Sequence, residues 1–213
     1  MKSPRRASKK TAKRGSRASK QDAVALLKAD HRKVEGLFKK AEKASGGAKE
    51  KLVAQICDEL IIHTMLEEEI FYPACRGEDV EEDIMDEAQI EHDGAKVLIN
   101  DLKNAGADSE MYDAKVSVLS EYIKHHVKEE EKPRSGVFAE AKRKGVDLEG
   151  IGEQLKSRKQ ELMEQAESGD LPDPEPKAVG HNGAQKPRGR ASERAGGAMR
   201  NMALAVKRAT FGD

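Results

Sequence analysis

Apolar residues recur along the middle of this chain at helical spacing, and histidine interrupts each of the resulting stripes. From Asp22, whose short acidic side chain suits an N-cap, Leu27, Val34 and Phe38 mark a first helix to residue 44, with His31 inside the stripe. Gly46 and Gly47 break that pattern. A second helix is predicted over 48–73, where Ile56, Leu60, His63, Glu67 and Ile70 share a face and Pro73 is the expected stop. Gly77 and the acidic cluster at 78–83 precede a third helix. Its stripe is Ile84, Ala88, Ala95, Ile99 and Leu102, broken by His92 and capped near Gly106. The fourth starts at Asp108 or Ser109 and runs through Val116, Leu119 and Ile123 to His126 and Glu130. Helices of about 23–27 residues, joined by about 3–8, favour antiparallel neighbours.

The predicted fold is therefore all-α: an up-down-up-down four-helix bundle over residues 21–131. Glu131-Lys132-Pro133-Arg134-Ser135-Gly136 breaks the last helix. Val137, Phe138 and the stripe Leu148, Ile151, Leu155 and Leu162 then predict one or two additional C-terminal helices packing on the bundle, within 132–168. A Pro/Gly-rich linker is expected over 169–190, opening with Leu171-Pro172-Asp173-Pro174-Glu175-Pro176. A basic tail over 191–213 follows, with a short helix at 191–209 where Met199, Met202, Ala203 and Val206 align.

Charge sharpens this division. The 213 residues hold 39 Lys+Arg and 39 Asp+Glu, yet the first twenty carry nine basic residues, no acid, and no Leu, Ile, Val or Phe. Such a segment buries too little to offset its ordering entropy, so 1–20 reads as a disordered basic arm. The bundle in between is acidic. The two basic ends suit either solubilising tails or non-specific contact with a nucleic acid or another acidic partner. Sequence-specific readout is not expected, for the arm has no aromatic residue to stack on bases. No apolar run reaches the ~20 residues of a membrane span, and no secretory leader is evident. Two cysteines, Cys57 and Cys75, form no disulfide framework and fit a reducing cytoplasm. An aromatic content of 3% argues against an all-β fold. There is no phosphate-binding Gly loop and no nucleophile elbow, so no catalytic residue is assigned.

The chemistry lies in the interruptions. One histidine on an apolar face is usually a satisfied core residue, and one His-x-x-x-Glu is usually a solvated pair. Here His31, His63, His92 and His126 enter all four stripes, and His63 and His126 each bring a carboxylate one turn later, Glu67 and Glu130. Burying that many ionisable groups uncompensated costs several kcal/mol each. A bound cation pairs the carboxylates and keeps the imidazoles neutral. Six imidazole and carboxylate ligands without thiolate exceed zinc's usual four and suit iron with open positions. Two bridging carboxylates with a bridging oxo or hydroxo group leave room for water, O2 or NO. Periodicity places His126 on the stripe and turns the neighbouring His125 about 100° away. Glu68 and Glu131 are expected to face away from the site.

Asp30-His31, the run from His63 to Glu67-Glu68-Glu69 and Phe71-Tyr72-Pro73, Glu91-His92, and His125-His126 with Glu129-Glu130-Glu131 resemble the hemerythrin HHE cation-binding family. The resemblance covers roughly 22–131 and implies a non-haem di-iron site: His31, His63 and Glu67 on one iron, His92, His126 and Glu130 on the other, both glutamates bridging. His125, Glu129 and Glu91 are the alternative or supporting ligands. Oxygen-carrying members use an additional histidine on the third helix. Ala88 and Lys96 stand one turn either side of His92, and neither replaces it. The aromatic-Pro ending of the fourth helix is also missing. The expected function is binding or sensing of O2, or a related small ligand such as NO or peroxide, or of iron or redox state. Oxidase or peroxidase turnover and a nucleic-acid-associated role are the alternatives.

Overall fold

The structure, a computed structural model, describes residues 22–179. Helix α1 (Ala23–Ala41) begins where the Asp22 carboxylate accepts the Ala25 amide at 2.8 Å. Lys39 and Lys40 lie in its last turn, where cations suit the helix dipole. Helix α2 (Gly46–Leu66) does not stop at Pro73. It widens into a π-helical turn at Glu67–Phe71 and runs on as α3 (Tyr72–Gly77). In the wide turn the Tyr72 amide bonds back to the Glu67 carbonyl, and Pro73 falls in the first turn of α3, where its missing N–H costs nothing. A π turn leaves no mark in the apolar period, so the sequence signalled a stop where the helix is reshaped.

Helix α4 (Glu82–Lys103) and α5 (Tyr112–Glu130) complete the bundle. The fourth helix starts later than expected, because Met111 adopts a left-handed conformation (φ 64°) just before it. Helices α1, α4 and α5 are accordingly 19, 22 and 19 residues long, shorter than their stripes suggested. Helix α1 contacts α2 and α5, and α4 contacts α2 and α5, which closes a ring of four. The two extra helices are α6 (Val137–Lys144) and α7 (Leu148–Ser168), separated by Gly145 in the left-handed region (φ 85°). Helix α7 lies on α1 and α2, and α6 against α5. The turn into α6 passes so close to the end of α5 that a Cβ on Gly136 would stand 2.2 Å from the Glu130 carbonyl oxygen.

The interior is two apolar clusters. One, from Val34 and Phe38 to Leu119, Ile123 and Val127, fills the ring of four helices. The other, from Leu27 through Phe71, Tyr72 and Phe138 to Leu155 and Leu162, is built where α3, α6 and α7 close over the bundle's end. His31, His63, His92 and His126 lie at the level between them, all buried. Residues 169–179, expected as part of a linker, lie on the bundle instead: Leu171 packs against both clusters and Pro174 is buried. Their proline-rich backbone is extended, as expected, and being stiff it loses little entropy on docking. The basic arm at 1–20, the remainder of the linker and the tail at 191–213 lie outside the described residues. Among the described residues there is no strand, and no helix is long and apolar enough to cross a membrane.

Candidate metal centre

Each helix of the ring delivers one imidazole to a single layer. Their Nε2 atoms face inward in two pairs: His31 to His63 at 3.0 Å and His92 to His126 at 3.2 Å. Glu67 and Glu130 enter between the pairs. Glu67 Oε2 is 3.3 Å from His63 Nε2, 3.2 Å from His92 Nε2 and 3.9 Å from His126 Nε2. Glu130 Oε2 is 3.4 Å from His31 Nε2 and 3.5 Å from His126 Nε2. Two overlapping groups with metal-ligand spacing result, His31, His63, Glu67 and Glu130, and Glu67, His92 and His126. Glu67 belongs to both.

The outward Nδ1 atoms fix the tautomers. His31 Nδ1–H donates to Glu131 at 2.8 Å, His92 Nδ1–H to Glu68 at 3.1 Å, and His126 Nδ1–H to Glu91 at 3.0 Å. An ionised carboxylate only accepts, so the proton sits on Nδ1 and each Nε2 presents a bare lone pair. His63 Nδ1 faces Asp30 at 3.9 Å, too far for a hydrogen bond. Around His92 and His126, two lone pairs and Glu67 Oε2 thus converge in a buried space. One proton can serve two of these acceptors; a metal ion serves all three. Glu67 Oε1 and Glu130 Oε2 are further buried oxygens without a hydrogen-bond partner. The donor set fits a cation.

Electrostatics agree. Burial, then the Glu130 charge, drive the Glu67 carboxyl well above its ordinary range. Burial would raise Glu130 too, but His126 and His31 outweigh it and hold it low. Burial lowers His63 to about 4 and also lowers His92, keeping both neutral and available. His126 is the exception: burial disfavours its proton, but Glu130 and Glu91 overcome this and raise it, so proton and metal compete there.

The structure brings the six stripe residues together, and His126 rather than His125 points inward. His125 is 37% exposed, with Nε2 3.3 Å from Glu91 Oε1. Glu91 does not swing into the cluster, since its other oxygen holds His126. Glu129 points away and pairs with Lys132. Two expectations need correction. Glu68 and Glu131 do not face away; the π turn rotates Glu68 onto His92, and Glu131, one residue past α5, turns back onto His31. Lys96, unable to ligate, is buried and paired with Glu68 at 2.6 Å and Asp93 at 3.3 Å. Sequence reasoning also missed Tyr72, whose hydroxyl donates to Glu130 Oε1 at 2.8 Å and lies 3.4 Å from Glu67 Oε2. A tyrosine five residues after a candidate glutamate gives no signal unless the π turn is known.

The α6 and α7 helices reach the same layer. Phe138 stacks on His31 (5.8 Å, 20° between planes), and Lys159 pairs with Asp30. Beside the imidazoles, Val34, Leu60, Ile123 and Val127 line a cavity of about 10 Å³, about one water's space. Cys57 and Cys75 are free and buried, with thiols pushed up to about 12, first by burial, and neither joins the cluster.

A four-helix ring whose interior presents four imidazoles and two carboxylates defines a metal-binding bundle protein. Residues 22–133 match the hemerythrin HHE cation binding domain, and the chain belongs to that family. The crystal structure of a hemerythrin HHE cation binding domain-containing protein from Mycobacterium kansasii is similar in fold, with a TM-score of 0.57 and 20% identity. That likeness covers 70% of this chain and 94% of the other, so the shared fold extends beyond the bundle. No curated protein matches the chain.

Proposed function

We propose that the chain is a non-haem di-iron protein. His31, His63 and Glu67 would hold one iron, and His92, His126 and Glu130 the other. The observation that carries this reading is the convergence of imidazole Nε2 atoms and unpartnered carboxylate oxygens in one buried layer. The family supports a metal; six imidazole and carboxylate donors with no thiolate favour iron over zinc. Bound iron would supply open coordination positions and redox chemistry. The chain's own part is to hold the imidazoles neutral, neutralise the metal charge and exclude bulk water.

The ligand we assign is O2 or a related small molecule, NO or peroxide, bound or sensed without turnover in a cytoplasmic setting. The roughly 10 Å³ cavity favours so small a ligand over an organic substrate. One observation favours the second reading, oxidase or peroxidase turnover: the buried Tyr72 hydroxyl donates to Glu130 at 2.8 Å and lies 3.4 Å from Glu67. A nucleic-acid role would rest on tails outside the described residues.

The test is metal content and the near-UV/visible spectrum of anaerobically reduced protein, before and after oxygen is admitted. About two irons per chain with new charge-transfer bands is the expected result; zinc, or no metal, sinks it. Steady consumption of peroxide by the loaded protein would move the assignment to the enzyme.

A further inference from the structure

After α7 the chain turns at Gly169 (φ 80°) and runs back along α4. Asn100 donates to the Pro174 carbonyl at 2.8 Å, and Lys103 pairs with Asp173 at 2.7 Å. The strand-like segment ends in an unusual contact. The amides of Lys177, Ala178 and Val179 all donate to Asp93 Oδ2, at 2.9, 2.5 and 3.0 Å. Asp93 is buried, and its other oxygen accepts from Gln89 at 3.1 Å and Lys96 at 3.3 Å. Beside it, Lys177 Nζ reaches Glu68 Oε2 at 2.7 Å. Glu68 thus has Lys177 on one oxygen, and Lys96, Gln89 and His92 Nδ1–H on the other.

All of this lies against one of the two imidazole pairs, and the segment is outside the residues that match the family. Burial would raise the Glu68 carboxyl, yet hydrogen bonds from His92, Lys177 and Lys96 hold it far below the usual range. Its charge is shared among four donors, the fourth being Gln89 Nε2 at 3.2 Å. Freed from Lys177, the Glu68 carboxylate loses the contact that fixes its orientation on His92 Nδ1–H from outside.

We propose that residues 170–179 are a strap that completes one half of the metal centre, with Lys177 a positioning residue that holds Glu68 on His92 and so governs retention of the metal at His92 and His126. This rests on the di-iron reading above. Strap docking and metal binding then stabilise each other reciprocally. Loss of the carboxylate partner of a metal-bound histidine weakens metal binding about 10- to 100-fold, and Lys177, acting through Glu68, should give roughly 3- to 10-fold.

The experiment uses the full-length protein loaded with ferrous iron, and reads iron loss to a chelator together with hydrogen exchange at the 177–179 amides. Lys177→Gln should still bind two irons but lose one of them several-fold faster, while Lys177→Arg restores the slow rate. Ala178→Pro removes one donor to Asp93 while every residue of the proposed ligand helices stays unchanged; it should speed exchange at Lys177 and Val179 and release the same single iron faster. In the wild-type chain those amides should exchange faster without iron than with it. If Ala178→Pro opens the amides and leaves iron loss unchanged, or accelerates both irons equally, the strap has no positioning role and the proposal falls alone. A wild-type chain that takes up no iron overturns the di-iron reading and the proposal together.

Discussion

The two apolar clusters flanking the histidine layer come from different kinds of sequence. The one inside the ring, from Val34 to Val127, is closed by the four bundle helices with little help. The one above the layer needs α3, α6 and α7, and its largest members include Phe71, Tyr72, Phe138, Leu155 and Leu162. The ring delivers the proposed ligands, and the later helices make the dry cover that raises the electrostatic strength of the site. A defect in the first cluster should therefore cost stability alone, and a defect in the second should cost stability and metal together.

That contrast is sharpest in two truncations. Leu119→Ala and Phe138→Ala each remove a buried side chain and should destabilise by about 2–5 and 3–5 kcal/mol respectively. Only Phe138 also stacks on His31. Denaturant melts should show comparable losses, while iron content and the charge-transfer bands change only in Phe138→Ala. Parallel spectral changes in both variants would erase the distinction between the clusters.

Acid attacks the layer between them. Burial depresses His63 from 6.5 to about 4. Between those values the unfolded chain takes up a proton that the folded chain refuses, so this contribution is complete above about pH 6.5 and is lost as the pH falls towards 4. The shift corresponds to about 3 kcal/mol. His92 moves the same way, and the raised His126 offsets part of the loss. Thermal melts of chelator-treated protein should fall across this window; a flat profile from pH 7 to 4.5 would contradict the burial of His63.

The same contrast explains what could be read from the sequence. All six inward residues were legible because each helix repeats its apolar spacing around them, and a repeated interruption stands out. The fold class, the extra helices and the choice of His126 over His125 followed from that period. What escaped depended on departures from it. The π turn at Glu67–Phe71 carries the helix through Pro73, rotates Glu68 onto His92 and brings Tyr72 under Glu130. Glu131 lies past the last helical residue, where period says nothing about direction. The burial of Lys96 rests on its two carboxylate partners, Glu68 and Asp93, which the apolar period does not announce.

Those carboxylates set the next scale of effect. Glu131→Gln and Glu68→Gln keep the shape but remove the charge that holds His31 and His92 in their tautomers. Each should weaken metal binding about 10- to 100-fold, measured by competition with a chelator, with both irons still bound at saturating metal. Glu67→Ala and Glu130→Ala should instead prevent stable filling of the site at any practical concentration. Equal behaviour of all four variants would mean that the inward and outward carboxylates have been misassigned.

The smallest effect belongs to the residue nearest in sequence to a proposed ligand. His125 is 37% exposed and meets only Glu91 Oε1, at 3.3 Å, while Glu91 Oε2 independently holds His126. An exposed pair of this kind is worth about 0–1 kcal/mol. His125→Gln should therefore leave iron content and spectrum unchanged and move stability by less than about 1 kcal/mol. His126→Gln removes an Nε2 that stands 3.5 Å from Glu130 and 3.2 Å from His92, and should empty that half of the centre. Iron analysis of the two variants side by side decides the register of α5: if His125→Gln loses iron and His126→Gln keeps it, the helix presents the opposite face.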